Sequence, residues 1–485
     1  MSSISLKRAT ILNVSSKYVT VIINILVTAI LSRILTPNDY GIVAVITVFT
    51  NLFSILSEMG IGPAIIQNKS LTKSEIDDIF SFTAMAGIVL AGGFALLSIP
   101  IAIFFDDNVY YPIVMILSVS VYFNTINMVP NALLYRKQKF MAIAVRTVSV
   151  CVATSIIAIV LAFMGAKYYT LVIQSTLSSL FLFIWNVWGS NLHLKLRVDF
   201  QSVKKIRGYS TYQFLFSITN YFSRNVDNIS IGKFLGNECL AYYDKSYKLM
   251  MYPLSNLTFV INPVLHPILS VHQDDLSYIY RKYINVIKMF SALGALIQPI
   301  CFVCAQEIIL ILYGPQWESA VPSFMILSCS IWAQIISSSA GAIYQSINKT
   351  KLMFQSSIVH VCITLILIFA CLFKFRTIEG VSIAVAFAYI LKFFIEYYFL
   401  INKGFGKSFL AFLSGLIPNF VSIIFTTLLG VFLCKTLSSV VMLESAFAGI
   451  LLKSAIIAVV WLISVIITGE IRILLEILGV VKKNG

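Results

Sequence analysis

Residues 31–67 read LSRILTPNDYGIVAVITVFTNLFSILSEMGIGPAIIQ, and a related stretch returns 200 residues later. Residues 231–267 read IGKFLGNECLAYYDKSYKLMMYPLSNLTFVINPVLHP. At that constant offset Arg33 aligns with Lys233, Leu35 with Leu235, and Ile61-Gly62-Pro63 with Ile261-Asn262-Pro263. A second echo lies at an offset of 210, where Pro112, Met115, Ile116, Leu117 and Ser118 are answered by Pro322, Met325, Ile326, Leu327 and Ser328. Two echoes in the same order, at nearly the same spacing, mark a duplicated half.

The solvent of each half follows from composition. The chain has 485 residues, 59% of them hydrophobic and 11% charged, with a mean hydropathy of +0.91. A soluble domain carries about a quarter charged residues. The apolar residues fall in runs near the roughly 20 residues that cross a bilayer. These features predict an all-α polytopic membrane protein with 14 segments, at about 10–33, 40–62, 79–105, 109–131, 141–164, 168–192, 210–232, 241–266, 283–305, 317–340, 355–375, 378–401, 408–434 and 443–467. The repeat offset spans six of them, an even number, so both copies cross in the same sense and are related by an axis along the membrane normal. The expected organisation is two pseudo-symmetric six-helix lobes, residues 1–192 and 210–402, joined by a basic linker at 193–209. Two extra helices at 403–469 follow, then a tail at 470–485 with the apolar spacing of an interfacial helix.

Charge sets the expected orientation. With the N-terminus inside, the outer loops hold only Arg33, Lys167, Lys233, Lys374, Arg376 and Lys435. The inner loops hold far more, including Arg136, Lys137, Lys139, Lys195, Arg197, Lys204, Lys205 and Arg207. Both termini are expected in the cytoplasm. The net charge of +15 reflects this bias and attraction to anionic lipid; nothing in it calls for nucleic acid. Lys7 and Arg8 precede an apolar run without a small-residue cleavage site, so the first helix is expected to stay as an anchor.

An ionisable group at mid-membrane costs about 2.5–3.5 kcal/mol on insertion scales, which makes a functional cavity its default reading. Segment 1 carries Asn13, Lys17, Thr20, Asn24 and Thr28 on one face. Segment 7, its repeat counterpart, carries Ser217, Asn220, Tyr221, Arg224, Asp227 and Asn228 within one face. Two related polar stripes suit a water-filled cleft lined by Asn24, Asn220, Tyr221 and Asn228. The plainer alternative pairs Arg224 with Asp227 one turn away. Lys245 and Lys248 share a face of segment 8, Lys392 sits in segment 12 one turn before Glu396, and Lys453 lies in segment 14. Arg146 and Lys288 lie near inner ends, where snorkelling to headgroups is the expected behaviour. Asp227, Glu58 and Glu396 are the candidates for ion coupling. A lumen with this cationic excess favours an anionic cargo such as a phosphate or pyrophosphate. Tyr18, Tyr221, Tyr242, Tyr243 and Tyr247 suit stacking on sugar rings or a place at the membrane interface.

Other motifs carry little. Cys301-x-x-Cys304 is flanked by apolar residues and reads as two buried thiols. Gly406-Lys407-Ser408 lacks the preceding glycine of a phosphate-binding loop. No connection is long enough for a soluble catalytic domain, and no cofactor or metal is expected.

LSRILTPNDYG, GIGPAIIQ, LLYRKQKF, IGKFLGNECLAYYDKSYKL and LYGPQWESAVPSFMILS together resemble the polysaccharide-transporter branch of the MOP flippase superfamily. The chain is most similar there to the Wzx-type exporters of colanic acid, teichuronic acid and O-antigen, over roughly residues 5–400. The resemblance implies a flippase that moves an undecaprenyl-pyrophosphate-linked oligosaccharide across a bacterial inner membrane by alternating access, beside a polysaccharide polymerase and chain-length proteins. It points to Arg224 and Lys17 for the pyrophosphate, with Lys245, Lys248 and Lys392 behind them. Gly62-Pro63 and Asn262-Pro263 are the hinge candidates, since Gly and Pro loosen helices. The rivals are a drug or cation antiporter of the same superfamily, which calls for acidic lumenal residues, and a membrane polysaccharide polymerase, which calls for a large outer loop.

Overall fold

In a computed structural model of the chain, the described residues are 6–58, 61–68, 70–195, 199, 211–270, 275–440 and 445–471. Every regular element among them is helical, as hydrocarbon requires of a backbone that must satisfy its own polar groups. The helices are α1 (Leu6–Ile34), α2 (Pro37–Glu58), α3 (Ile61–Gln67), α4 (Lys73–Leu96), α5 (Ser98–Phe105), α6 (Tyr110–Ile126), α7 (Met128–Arg136), α8 (Phe140–Phe163), α9 (Tyr169–Trp188), α10 (Thr211–Phe234) and α11 (Asn237–Ser270). There follow α12 (Leu276–Val303), α13 (Ala305–Leu312), a 3₁₀ turn at Pro315–Ala320, α14 (Val321–Ser328), α15 (Ile331–Ser337), α16 (Ala340–Ser346), α17 (Thr350–Phe375), α18 (Ile378–Tyr397), a π-helical turn at Tyr398–Gly404, α19 (Phe409–Gly415), α20 (Ile417–Val440) and α21 (Ala446–Ile467).

Among the described residues, eleven stretches are long and apolar enough to cross a membrane, and twelve if the pair Pro315–Ser328 and Ile331–Ser346, bent by 52°, is one span. The chain is therefore a multi-pass membrane protein. The expected fourteen exceeds this number by two. Those two are α10 and α11, long helices whose polar stripes keep them below the apolar threshold. Lipid-facing surface is plain along α4 and α5, where Met85, Ile88, Val89, Leu96, Ile99 and Ile103 are exposed; a soluble protein does not leave such a run bare.

By packing, the chain divides into two compact units, 1–241 and 242–485. In the first, α1 packs on α8, α6 on α4 and α9, and α10 on α2. In the second, α12 packs on α15, α20 and α21, and α17 on α18. The repeat places a lobe boundary at the basic linker, upstream of this division. Within that linker only Lys195 among the expected cluster is described. Its Nζ lies 2.7 Å from Asp78 Oδ1, an ion pair that holds the linker's start on α4.

The opening motif is explained by the first unit. The repeat offset is realised in the helix ends: α1 stops at Ile34 and α10 at Phe234, while α2 starts at Pro37 and α11 at Asn237. In the first copy Thr36 and Asp39 form a reciprocal cap. Asp39 N donates to Thr36 Oγ (3.2 Å) and Thr36 N donates to Asp39 Oδ2 (3.0 Å), with Pro37 at the first helical position. Asp39 Oδ1 also accepts from Tyr168 N at 3.2 Å. One buried carboxylate thus serves the N-termini of α2 and α9, where helix dipoles favour negative charge. Gly41 completes the motif. A Cβ there would lie 1.8 Å from the Asn237 carbonyl oxygen, so only glycine lets α2 meet the start of α11. Tyr110 Oη donates to Asn237 Oδ1 at 2.5 Å from the third side.

In the second unit the unrepeated helices are fastened by polar contacts. Trp461 Nε1 donates to Ala292 O (2.9 Å), and Ser464 Oγ donates to Ser422 Oγ (2.8 Å). At the end of α21, Glu470 is buried, with neither carboxylate oxygen hydrogen-bonded among the described residues. Burial pushes its carboxyl up to about 7, and the Lys288 ammonium pulls it partly back. The tail beyond Ile471 lies outside the described residues.

Two outcomes follow. Gly41→Ala forces a side chain into a backbone carbonyl, beyond the usual 1–3 kcal/mol of overpacking. The variant is expected to lose at least about 3 kcal/mol, read as a fall in melting temperature in detergent, whereas Gly62→Ala, which meets open space, is expected to melt near the parent. Because the Glu470 carboxyl is raised, folding loses stability as pH climbs from about 4.5 to about 7. Glu470→Gln should therefore melt higher than the parent above pH 7 and with it near pH 4.5; equal melting at both values contradicts the assignment.

Candidate functional site

The first unit holds both polar stripes. On α1, Lys17 is half-buried and Asn24 exposed, and Asn24 Oδ1 accepts the Cys151 thiol at 3.5 Å. On α10, Arg224 is exposed, Asp227 is buried and Asn228 is half-buried. The Asn228 amide oxygen is buried without a hydrogen bond among the described residues. Asp227 Oδ1 accepts the Asn228 backbone N–H at 2.8 Å. Tyr221 has a different task from the cleft lining expected of it: its hydroxyl donates to the Val48 carbonyl and anchors α10 on α2. The Asn220 side chain lies outside the described residues, as do those of Asn13, Ser217, Glu58 and Pro63.

The second unit holds the other cations. Lys245 is buried, with Nζ 4.8 Å from the Tyr313 ring centre and 5.4 Å from that of Trp317. An ammonium over aromatic faces is held by their quadrupoles. The GPQW turn supplies one of those faces, with Gly314 at φ +98° and Ala320 O accepting Ser246 Oγ at 2.8 Å. Lys248, by contrast, is exposed and 2.6 Å from Asp244 Oδ2. Lys392 and Glu396 are half-buried on one face of α18, where Tyr344 Oη donates to the Glu396 carbonyl at 2.8 Å. A π-helical turn starts two residues after Glu396, a distortion that recurs at functional sites.

The hinge candidates differ between copies. Gly62 and Pro63 lie in the short helix α3, and residues 59–60, between it and α2, lie outside the described residues. In the second copy α11 runs unbroken through Asn262 and Pro263, whose side chains lie outside the described residues.

Two charges depart from their sequence-based expectation or escaped it. Arg146 does not snorkel. It is 6% exposed, and its Nη1 donates to Asn186 Oδ1 (2.6 Å) and Asn131 Oδ1 (3.0 Å). Asn186 Nδ2 in turn donates to Asn127 Oδ1 at 2.7 Å. Amide oxygens on α7 and α9 therefore hold Nη1, while Nε is buried without a hydrogen bond among the described residues. The signal was present as three asparagines near the same ends of neighbouring apolar segments. Lys453 is paired with Glu307 of α13, a carboxylate just past segment 9. Gly449 faces Glu307 closely, since a Cβ there would lie 3.4 Å from Glu307 Cγ. Cys301 and Cys304 are buried and unbridged.

The second unit also contains an apolar cavity of about 330 Å³, lined by Gln298, Trp332, Phe393, Phe420, Ile424 and Leu428 among others. Its walls offer aromatic and aliphatic contact with few polar groups, the surface a hydrocarbon chain fits.

The family profile described as "Polysaccharide biosynthesis protein" matches residues 30–322. The chain is 23% identical over 335 residues to the teichuronic acid biosynthesis protein TuaB of Bacillus subtilis, covering 69% of each. It is 21% identical over 406 residues to the lipopolysaccharide biosynthesis protein WzxC of Escherichia coli, covering 81% of this chain and 80% of that one. Among solved structures it is similar to the lipid II flippase MurJ in an inward closed conformation, with a TM-score of 0.74 at 13% identity, covering 95% of this chain and all of that one. An inward-facing multidrug resistance MATE transporter gives 0.62 at 13% identity over 82% of this chain and 94% of that one.

Arg146→Ala is expected to leave the buried Asn186 oxygen and the half-buried Asn131 oxygen without this donor, a loss of about 3 kcal/mol. The check is the fraction recovered as a monodisperse peak from detergent extracts. That fraction should fall severalfold for Arg146→Ala and stay at the parent level for Arg224→Ala.

Proposed function

This chain belongs to the polysaccharide biosynthesis protein family, and on that premise we propose that it is a flippase for a polyprenyl-pyrophosphate-linked oligosaccharide. The observation that carries the reading is the conjunction of relatives named for teichuronic acid and lipopolysaccharide biosynthesis with the fold of a lipid flippase. The carrier is undecaprenyl pyrophosphate in a bacterial inner membrane, and both termini face the cytoplasm, as the lysine and arginine bias favours. The polymer products call for a polymerase and chain-length proteins downstream.

The chemistry of the residues supports this cargo. A pyrophosphate needs fixed positive charge in a place that water reaches. Arg224 is exposed on α10 and Lys17 half-buried on α1; both suit that role, Arg by its planar fork of donors. Lys392 is the next candidate. Lys248 is exposed beside Asp244, which shares its charge. Lys245 is committed to its aromatic box and acts through packing. The apolar cavity of the second unit suits isoprenoid chain, so headgroup and tail are served by different surfaces. Alternating access then carries the headgroup across, with Gly62 as a flexing point. The multidrug antiporter reading rests on fold alone, whereas sequence relatives include biosynthesis proteins for teichuronic acid and lipopolysaccharide.

Arg224→Ala, and Lys17→Ala beside it, should lower surface polysaccharide at least tenfold in cells while membrane levels of the protein stay at those of the parent. Undecaprenyl-linked intermediate should accumulate in the same cells. Normal polymer from both variants would remove these residues from the transport site.

A further inference from the structure

Arg146 is 6% exposed, and its guanidinium keeps its charge at every working pH. Three of its five N–H groups are in use, each on a neutral oxygen: Nη1 on Asn131 and Asn186, and Nη2 on Thr147 Oγ1 at 3.3 Å. Nε is buried with no acceptor, and among the described residues no carboxylate is ion-paired with this side chain. Dipoles thus hold the group in place while its charge has no counter-charge, a costly arrangement away from water. The unused donors are Nε–H and one hydrogen of Nη2. Those two nitrogens share an edge of the planar group, the edge that pairs side-on with an oxyanion.

The place of that edge follows from two helices. Asn131 stands five residues before the end of α7, and Arg146 six after the start of α8. Their 3.0 Å bond sets the guanidinium beneath the turn that joins them. By helix rise the Arg146 backbone is about 9 Å below the first residue of α8, and its side chain leans back toward that end. The start of α8 is uncapped. Lys139 makes no side-chain cap, and the Met141 and Ala142 N–H groups have no acceptor among the described residues. Positive helix-end charge therefore stands above the bare edge. Lys137 and Lys139 are exposed on the same turn, and residues 136–140 read RKQKF, with no acid. Donors and positive charge without an acid suit an anionic headgroup better than a zwitterionic one. The turn joins two spanning stretches, Tyr110–Arg136 and Phe140–Phe163, so it lies at the level of the phospholipid headgroups.

We propose that the α7–α8 turn is a binding site for the phosphate of an anionic phospholipid. The Met141 and Ala142 N–H groups and the two lysines take the headgroup oxygens, and the Arg146 edge supplies the charge beneath them. The bound phosphate is the counter-charge that the protein does not itself provide. On the orientation proposed above, the lipid belongs to the cytoplasmic leaflet, whose surface is anionic. The binding rests on neither that orientation nor the cargo.

Lysine acetylation of the protein in nanodiscs reads the site without a variant. With phosphatidylglycerol added to phosphatidylcholine, Lys137 and Lys139 should be protected severalfold, and Lys351, exposed at the start of α17, should not. Equal protection of all three means attraction by bulk charge only and overturns the proposal. The same protection by inorganic phosphate in detergent assigns the turn to free oxyanions and overturns the lipid. Native mass spectrometry then tests Arg146. The parent should retain phosphatidylglycerol in preference to phosphatidylcholine. Arg146→Lys, which keeps the charge without the planar edge, should retain severalfold less. Undiminished retention in that variant removes Arg146 from the site and overturns the proposal. If Arg146→Lys does not fold, Lys137→Gln combined with Lys139→Gln must lower retention likewise; parent-level retention there also overturns it. No cargo enters these measurements, so they stand or fall apart from the transport reading, which polysaccharide export in cells decides.

Discussion

Hydrocarbon gives an ionised side chain two ways to exist: a partner that satisfies it, or a path to water. Most of the structure can be read as the working out of that constraint. Arg146 takes the first course, held by amide oxygens from α7 and α9. Lys453 takes it with Glu307, and Lys245 with two aromatic faces. Arg224 is exposed on a helix anchored by Tyr221. Cations that look alike in sequence thus separate into those that hold helices together and those exposed on their helix.

The same constraint shapes the backbone. Breaks in the helices are placed where their polar groups find other partners. At the start of α2, Thr36 and Asp39 satisfy the free N–H groups, and Asp39 extends the service to α9. The second copy of the motif has Gly236 and Cys239 at those positions and uses Gly236 at φ +92° to turn instead. Duplication preserved the position of the turn and let its chemistry diverge. Gly41 and Asn237, one from each copy, then meet backbone to side-chain position at a distance that admits no Cβ.

The proposed cargo joins a pyrophosphate to an isoprenoid chain. The two compact units carry surfaces suited to each: exposed and half-buried cations on α1 and α10, and an aromatic cavity between α12, α15, α18 and α20. On that cavity's helices the Tyr283 and Tyr397 hydroxyls pair at 2.7 Å.

The sequence by itself determined the membrane class, the duplication and the family resemblance, because these depend on composition, periodicity and ordered motifs that need no neighbour to be defined. It did not determine which charges are spoken for. Whether Arg146 reaches headgroups or asparagines, and whether Lys245 faces water or Trp317, depends on residues 40 and 72 positions away along the chain. Those partners exist only once helices pack, so that part of the site belonged to the tertiary structure alone.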